Sequence, residues 1–191
     1  MLITNDFEVA QPVDKVWQFF GDIPIVAACL PGAELTENLG DDKYGGKVAI
    51  RMGPVRLQFT GTAEITERDE AAKRVVVHAA GADERGRGQA AMVVSAALTG
   101  AGRGTKVAVS QDLQLSGAAA QYGRGMISDV TAVLMRDFSA NLARQISAAE
   151  QGQSGPAAAA PAGGLTIGLR AMLMALRRVF RRFFVPYQAA S

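Results

Sequence analysis

The strongest constraint in this sequence is a change of hydrophobic period. Between residues 33 and 115 apolar side chains recur at every second position and turn residues recur about every ten, while the flanking segments repeat near 3.6. Alternation sustained over that distance describes strands with one buried and one solvated face, joined by short turns, and so an antiparallel meander. Its inward rows are Val48, Ile50 and Met52; Val55, Leu57, Phe59, Ala63 and Ile65; Val75, Val77 and Ala79; Met92, Val94, Ala96 and Leu98; and Val107, Val109, Leu113 and Leu115. Gly53-Pro54 turns the first pair, and Arg68-Asp69-Glu70, Gly86-Arg87-Gly88 and Gly100 to Gly104 break the later strands.

The flanks complete the architecture. Residues 2 to 10 alternate as a half-buried strand, with Ile3, Phe7 and Val9 on one side and Thr4, Asp6 and Glu8 on the other. Pro12 opens an amphipathic helix over Val13 to Phe20, and a second, Ile23 to Leu30, stops at Pro31-Gly32. After Gly117, one stripe of Met126, Ile127, Val130, Val133, Leu134, Phe138, Leu142 and Ile146 predicts a helix of about thirty residues that covers the sheet. The expected fold is α+β: a curved antiparallel sheet of about seven strands around a long C-terminal helix, with a separate amphipathic tail helix. Its concave face carries mostly small or medium apolar side chains, a composition that suits a ligand cavity.

At 191 residues and 49% hydrophobic content, the chain holds one ordinary domain and an appendage. Residues 1–147 read as the folded body. Residues 148–164 read as a Gly/Pro/Ala linker, since nothing from Gln151 to Gly164 is charged or large enough to form a core. Residues 165–185 read as a basic amphipathic helix. A single cysteine, Cys29, excludes an internal disulfide, and with a single histidine, His78, the usual Cys/His zinc sites cannot be assembled. No metal site and no covalent cofactor are expected. The first residues lack the basic and apolar regions of a secretory signal, so a cytoplasmic setting is expected.

Charge is divided along the chain. The net charge of +2 is the sum of +5 over residues 165–191, which hold five arginines and no acid, and −3 over residues 1–164. Viewed down a helix at 100° per residue, Arg170, Arg177, Arg178, Arg181 and Arg182 share one arc. Leu169, Leu173, Leu176, Phe180, Phe183 and Phe184 share the opposite one, the pattern of a helix lying in a membrane interface. The arginines interrupt any run long enough to span a bilayer. The expected partner is a membrane surface with anionic lipids, at the inner face of the cell membrane; a protein groove and docking on the sheet are the alternatives. Nucleic acid is not expected, because the apolar arc would stay unburied.

No catalytic group stands out. His78 falls on the outward row between Val77 and Ala79, and Cys29 sits in an apolar helix with no basic neighbour to activate it. The carboxylates of Asp41-Asp42, Asp69-Glu70 and Asp83-Glu84 read as solvated turn charges, and Gly123-Arg124-Gly125 lacks the lysine and hydroxyl of a phosphate-binding loop. Val26, Leu30, Val48, Ile50, Met52, Leu57, Phe59, Met92, Val94, Met126, Val130 and Leu134 are the candidate walls of an apolar pocket. Methionine would give that lining an adaptable surface. A filled core is the alternative.

The element order resembles the START/Bet v 1-like (SRPBCC) helix-grip superfamily. Four segments are more narrowly similar to the CoxG family of carbon monoxide dehydrogenase subunits: Cys29-Leu30-Pro31-Gly32-Ala33, Met52-Gly53-Pro54-Val55, Gly100 to Lys106, and Ala120-Gln121-Tyr122-Gly123-Arg124-Gly125-Met126. The resemblance implies a non-catalytic accessory protein of an aerobic CO dehydrogenase or related molybdenum hydroxylase. It implies a hydrophobic ligand such as menaquinone or ubiquinone and a role in bringing the enzyme, or its electrons, to the membrane. Recruitment or maturation without ligand carriage, and a polyketide cyclase-like enzyme, are the alternatives.

Overall fold

A computed structural model describes residues 1–52 and 55–151, with the side chains of Met52 and Val55 outside that description. The chain runs β1 (Leu2–Val9), α1 (Val13–Gly21), α2 (Ile23–Cys29), β2 (Ala33–Gly40), β3 (Lys43–Met52), β4 (Val55–Asp69), β5 (Arg74–Asp83), β6 (Gln89–Ala101), β7 (Gly104–Leu115) and α3 (Arg124–Glu150). A 3-10 turn, Gly117–Gln121, leads from β7 into α3. All seven strands form one antiparallel sheet in the order β1-β7-β6-β5-β4-β3-β2. The meander therefore keeps sequence order, and β1 closes it against the last strand.

Local chemistry sets the element boundaries. Asp22 ends α1 and caps α2, its carboxylate accepting from the Ile25 N–H at 3.1 Å. At the exit of α2, Pro31 is buried and Gly32 adopts φ +80, where its carbonyl accepts the Ala49 N–H at 2.9 Å. A Cβ on Gly32 would lie 2.4 Å from the Ala49 oxygen, so this turn can press on β3 only with glycine.

A row of glycines crosses the sheet: Gly46 of β3 pairs with Gly61 of β4, which pairs with Gly81 of β5. A Cβ on Gly61 would fall 2.0 Å from the Ala80 oxygen, one on Gly81 2.9 Å from the Thr60 oxygen, and one on Gly46 2.9 Å from the Glu34 oxygen. Strands that approach this closely, with a bulge after Ile65 in β4, coil tightly enough to wrap around a helix.

Among the described residues most of the buried apolar side chains fall into two clusters. The first joins Val16, Trp17 and Phe20 of α1 and Cys29 of α2 to Val75, Ala96, Leu98, Val107 and Val109 of the sheet and to Phe138, Leu142 and Ile146 of α3. The second joins Ile3, Leu57, Phe59, Ala119, Ile127 and Val130. Met126 stands apart from the expected stripe: it is 44% exposed in the first turn of α3, where the turn preceding Ile127 has not yet reached the sheet. The helix runs to Glu150, which pairs with Lys15 and accepts from Gln11 at 3.2 Å.

Replacing Gly61 by alanine should lower the unfolding free energy by about 2–4 kcal/mol, since backbone must move to accept the methyl. Gly100, which has nothing within 4 Å of its would-be Cβ, should tolerate alanine within about 0.5 kcal/mol. Urea unfolding of the two variants against the parent checks both values.

Candidate functional site

The candidate site is the concave face of the sheet opposite α3. Leu57, Phe59 and Val130 are buried there, and Val48, Ile50 and Leu134 pack against them half-buried, so six of the expected wall residues come together. Val26, Leu30 and Val94 pack half-buried on the first cluster instead. Met92 is half-buried in the row Ala63–Ala79–Met92–Leu113, between the two clusters. Met126 is at the surface, and the side chain of Met52 lies outside the described residues. The tail residues Leu169 to Phe184 lie outside them as well. Among the described residues no helix is long and apolar enough to cross a membrane.

Two polar side chains on this face do not stand out from composition. Asn5 interrupts the inward row Ile3, Phe7, Val9, and Gln111 interrupts Val107, Val109, Leu113, Leu115. Gln111 is buried, and the strand's alternation alone would have found it, since position 111 is in phase with its apolar neighbours. The same phase exposes Asp83, which follows Val75, Val77, Ala79 and Gly81 on β5.

Asp83 is not the solvated turn charge its neighbours suggest. It is 4% exposed, and Arg87 forks onto it through Nε and a terminal nitrogen, both at 2.8 Å. The backbone N–H groups of Gln58, Arg85 and Arg87 also donate to it. Arg87 in turn donates to the Arg56 carbonyl at 2.7 Å, which ties the β5–β6 turn to β4. The guanidinium of Arg87, helped by those N–H groups, holds the Asp83 carboxyl well below the usual carboxylate range.

The other titratable groups point away from catalysis. Burial pushes the Cys29 thiol up to about 11, against the weaker opposing pull of Arg144, so it stays protonated and inert at neutral pH. Asn141 donates to the Cys29 carbonyl at 2.8 Å, which makes this residue a joint between α2 and α3. His78 is exposed on the outer face opposite Glu64. A cavity of about 240 Å³ lies between α1 and the β4–β5 turn, with Trp17, Phe20, Arg68, Glu70 and Val75 on its walls. There the Trp17 N–H donates to Glu70, and Lys73 pairs with Glu70 at 2.6 Å while lying over the indole ring at 5.6 Å. Those bonds, Lys73 first, hold the Glu70 carboxyl down, so both charges are already engaged.

A curved seven-stranded antiparallel sheet closed by a long C-terminal helix defines a Bet v 1-like helix-grip protein. The solved structures agree on that fold. A conserved protein from Geobacillus kaustophilus superposes with a TM-score of 0.69 at 22% identity, over 77% of this chain and 95% of its own. The Zhui aromatase/cyclase from Streptomyces sp. R1128 gives 0.58 at 14% identity, over 81% and 98%. Ara h 8.0201 gives 0.52 at 15% identity, over 78% and 98%. No curated protein matches the sequence. Residues 6–147 match the family model for the carbon monoxide dehydrogenase subunit known as CoxG, and the chain belongs to that family, whose members are accessory to the enzyme.

Because the folded Asp83 carboxyl titrates below its ordinary 3.8, its contribution to stability is full above that value and is lost as the pH falls through the folded one. Asp83→Asn should therefore unfold at a lower temperature than the parent at neutral pH. The gap should be constant above about pH 4 and narrow steadily as the pH is lowered below it, measured by thermal denaturation over a descending pH series.

Proposed function

We propose that this protein is a non-catalytic accessory factor of an aerobic CO dehydrogenase or related molybdenum hydroxylase. It binds a hydrophobic lipid, an isoprenoid quinone such as menaquinone or ubiquinone, on its concave face, and it works at a membrane surface. The observation that carries the reading is the form of that face within a CoxG-family fold. Glycine and alanine occupy Gly46, Gly61, Gly81, Ala63, Ala79 and Ala90, while the large apolar side chains gather into clusters on either side. An apolar ligand entering there would be held mainly by burial, at about 25 cal/mol per Å².

The tail supports the membrane part through its composition. Five arginines opposite Leu and Phe, with no acid over residues 165–191, suit an anionic leaflet, each arginine contributing about 1 kcal/mol. A helix-grip fold also serves an aromatase/cyclase, but at 14% identity that likeness speaks for the fold alone. Among the described residues Cys29 is buried and protonated and His78 faces outward, so neither offers an acid-base or nucleophilic group to the concave face.

Solvent extraction of the full-length protein, purified from a quinone-containing host, should yield an isoprenoid quinone in near-stoichiometric amount by chromatography and mass spectrometry. Recovery of no quinone or other isoprenoid would overturn the carrier reading and leave recruitment or maturation. In a flotation assay with anionic vesicles, the full chain should rise with the lipid and a truncation after Glu150 should stay behind. Equal flotation of the two would sink the membrane role of the tail.

A further inference from the structure

Two amide nitrogens buried on the concave face are left unpaired by the described residues. Asn5 and Gln111 are diagonal neighbours across the β1–β7 ladder, where Asn5 pairs with Val109 and Gln111 with Ile3. The Nδ2 of Asn5 and the Nε2 of Gln111 are both buried and have no hydrogen-bond partner among the described residues. Gln111 as a whole is 7% exposed. Burying unpaired amide donors costs stability, and apolar residues of the same size at both positions would avoid it.

Their position is specific. Ile3 belongs to the cluster of Ile127 and Val130, whereas Phe7 packs edge-on against Phe138 at 5.9 Å in the other cluster. Asn5 stands between the two on β1. On β7, Gln111 stands between Val109 of one cluster and Leu113 of the other. The two unpaired donors therefore meet at the seam where the apolar core divides, beside Val94 of β6 and Met92.

We propose that this seam is the polar subsite of the ligand site: the amide nitrogens of Asn5 and Gln111 donate to a neutral carbonyl oxygen on an otherwise apolar ligand. The atoms fully buried without a partner are the two amide nitrogens, so an acceptor is the group a ligand would have to bring to satisfy them. The inward positions of β1, β6 and β7 hold no lysine or arginine, so a carboxylate would be desolvated there without a counter-charge. A carbonyl suffers no such cost. This subsite rests on the carrier reading above and adds to it the group by which the ligand is oriented and chosen.

The test compares two probes that differ only in carbonyl groups, menadione and its parent hydrocarbon methylnaphthalene, displacing an apolar fluorophore from the full-length protein. The parent protein should prefer menadione by about tenfold or more, the worth of one to two hydrogen bonds to otherwise unpaired donors. In the double variant Asn5→Leu, Gln111→Met the preference should vanish while the urea midpoint holds or rises. Gln111→Met alone should lose part of the preference and serves if the double variant does not fold. Equal affinity of the parent protein for both probes, or a preference that survives in a folded variant, overturns the subsite while leaving the carrier reading standing. Displacement by neither probe overturns both.

Discussion

The fold depends on how closely β3, β4 and β5 approach at Gly46, Gly61 and Gly81. With a Cβ on Gly61 2.0 Å from a neighbouring carbonyl oxygen, no side chain can stand in that row. The bend it permits lets one sheet reach both flanks of α3. It also removes side chains from the middle of the concave face, so apolar mass collects at the two ends. Leu57 at one end and Leu142 and Ile146 at the other are almost completely buried, each contributing about 1.5–3 kcal/mol. The curvature, the divided core and the small-residue floor thus share one cause.

Polar groups close the ends that apolar packing leaves open. The Asp83–Arg87 fork holds the β5–β6 turn against β4, and Asn141 holds α3 to the end of α2. Many ion pairs on the outer surface, such as Lys43–Glu64 and Lys106–Asp6, are solvated and count for little. Asp83 differs because its carboxylate is buried and five donors converge on it. The family motif around Gly32 acts in the same structural sense: it fixes where the helical pair meets β3 and says little about chemistry.

The fold was largely legible in the sequence because its signals are local. Alternation placed the strand rows, Pro12 and Pro31-Gly32 bounded the short helices, and the stripe from Ile127 to Ile146 found α3. What escaped were effects of registration. Asp83 reads as a turn charge until β4 is laid beside it, and Asn5 and Gln111 become neighbours only through the β1–β7 ladder, 106 positions apart. Met126 has the spacing of a core residue but lies in a first turn that the sheet does not cover. Periodicity reports which side of an element a residue occupies, not what stands opposite.

The two ends of α3 are held by different contacts. Its last turn meets Lys15 of α1 and Gln11, just before that helix, through Glu150, and Leu142 and Ile146 lie behind it, whereas its first residue follows Gly123, whose capping position makes no side-chain hydrogen bond. The chain therefore leaves the described body beside α1 and the first apolar cluster, at the opposite end of α3 from Ile127 and Val130.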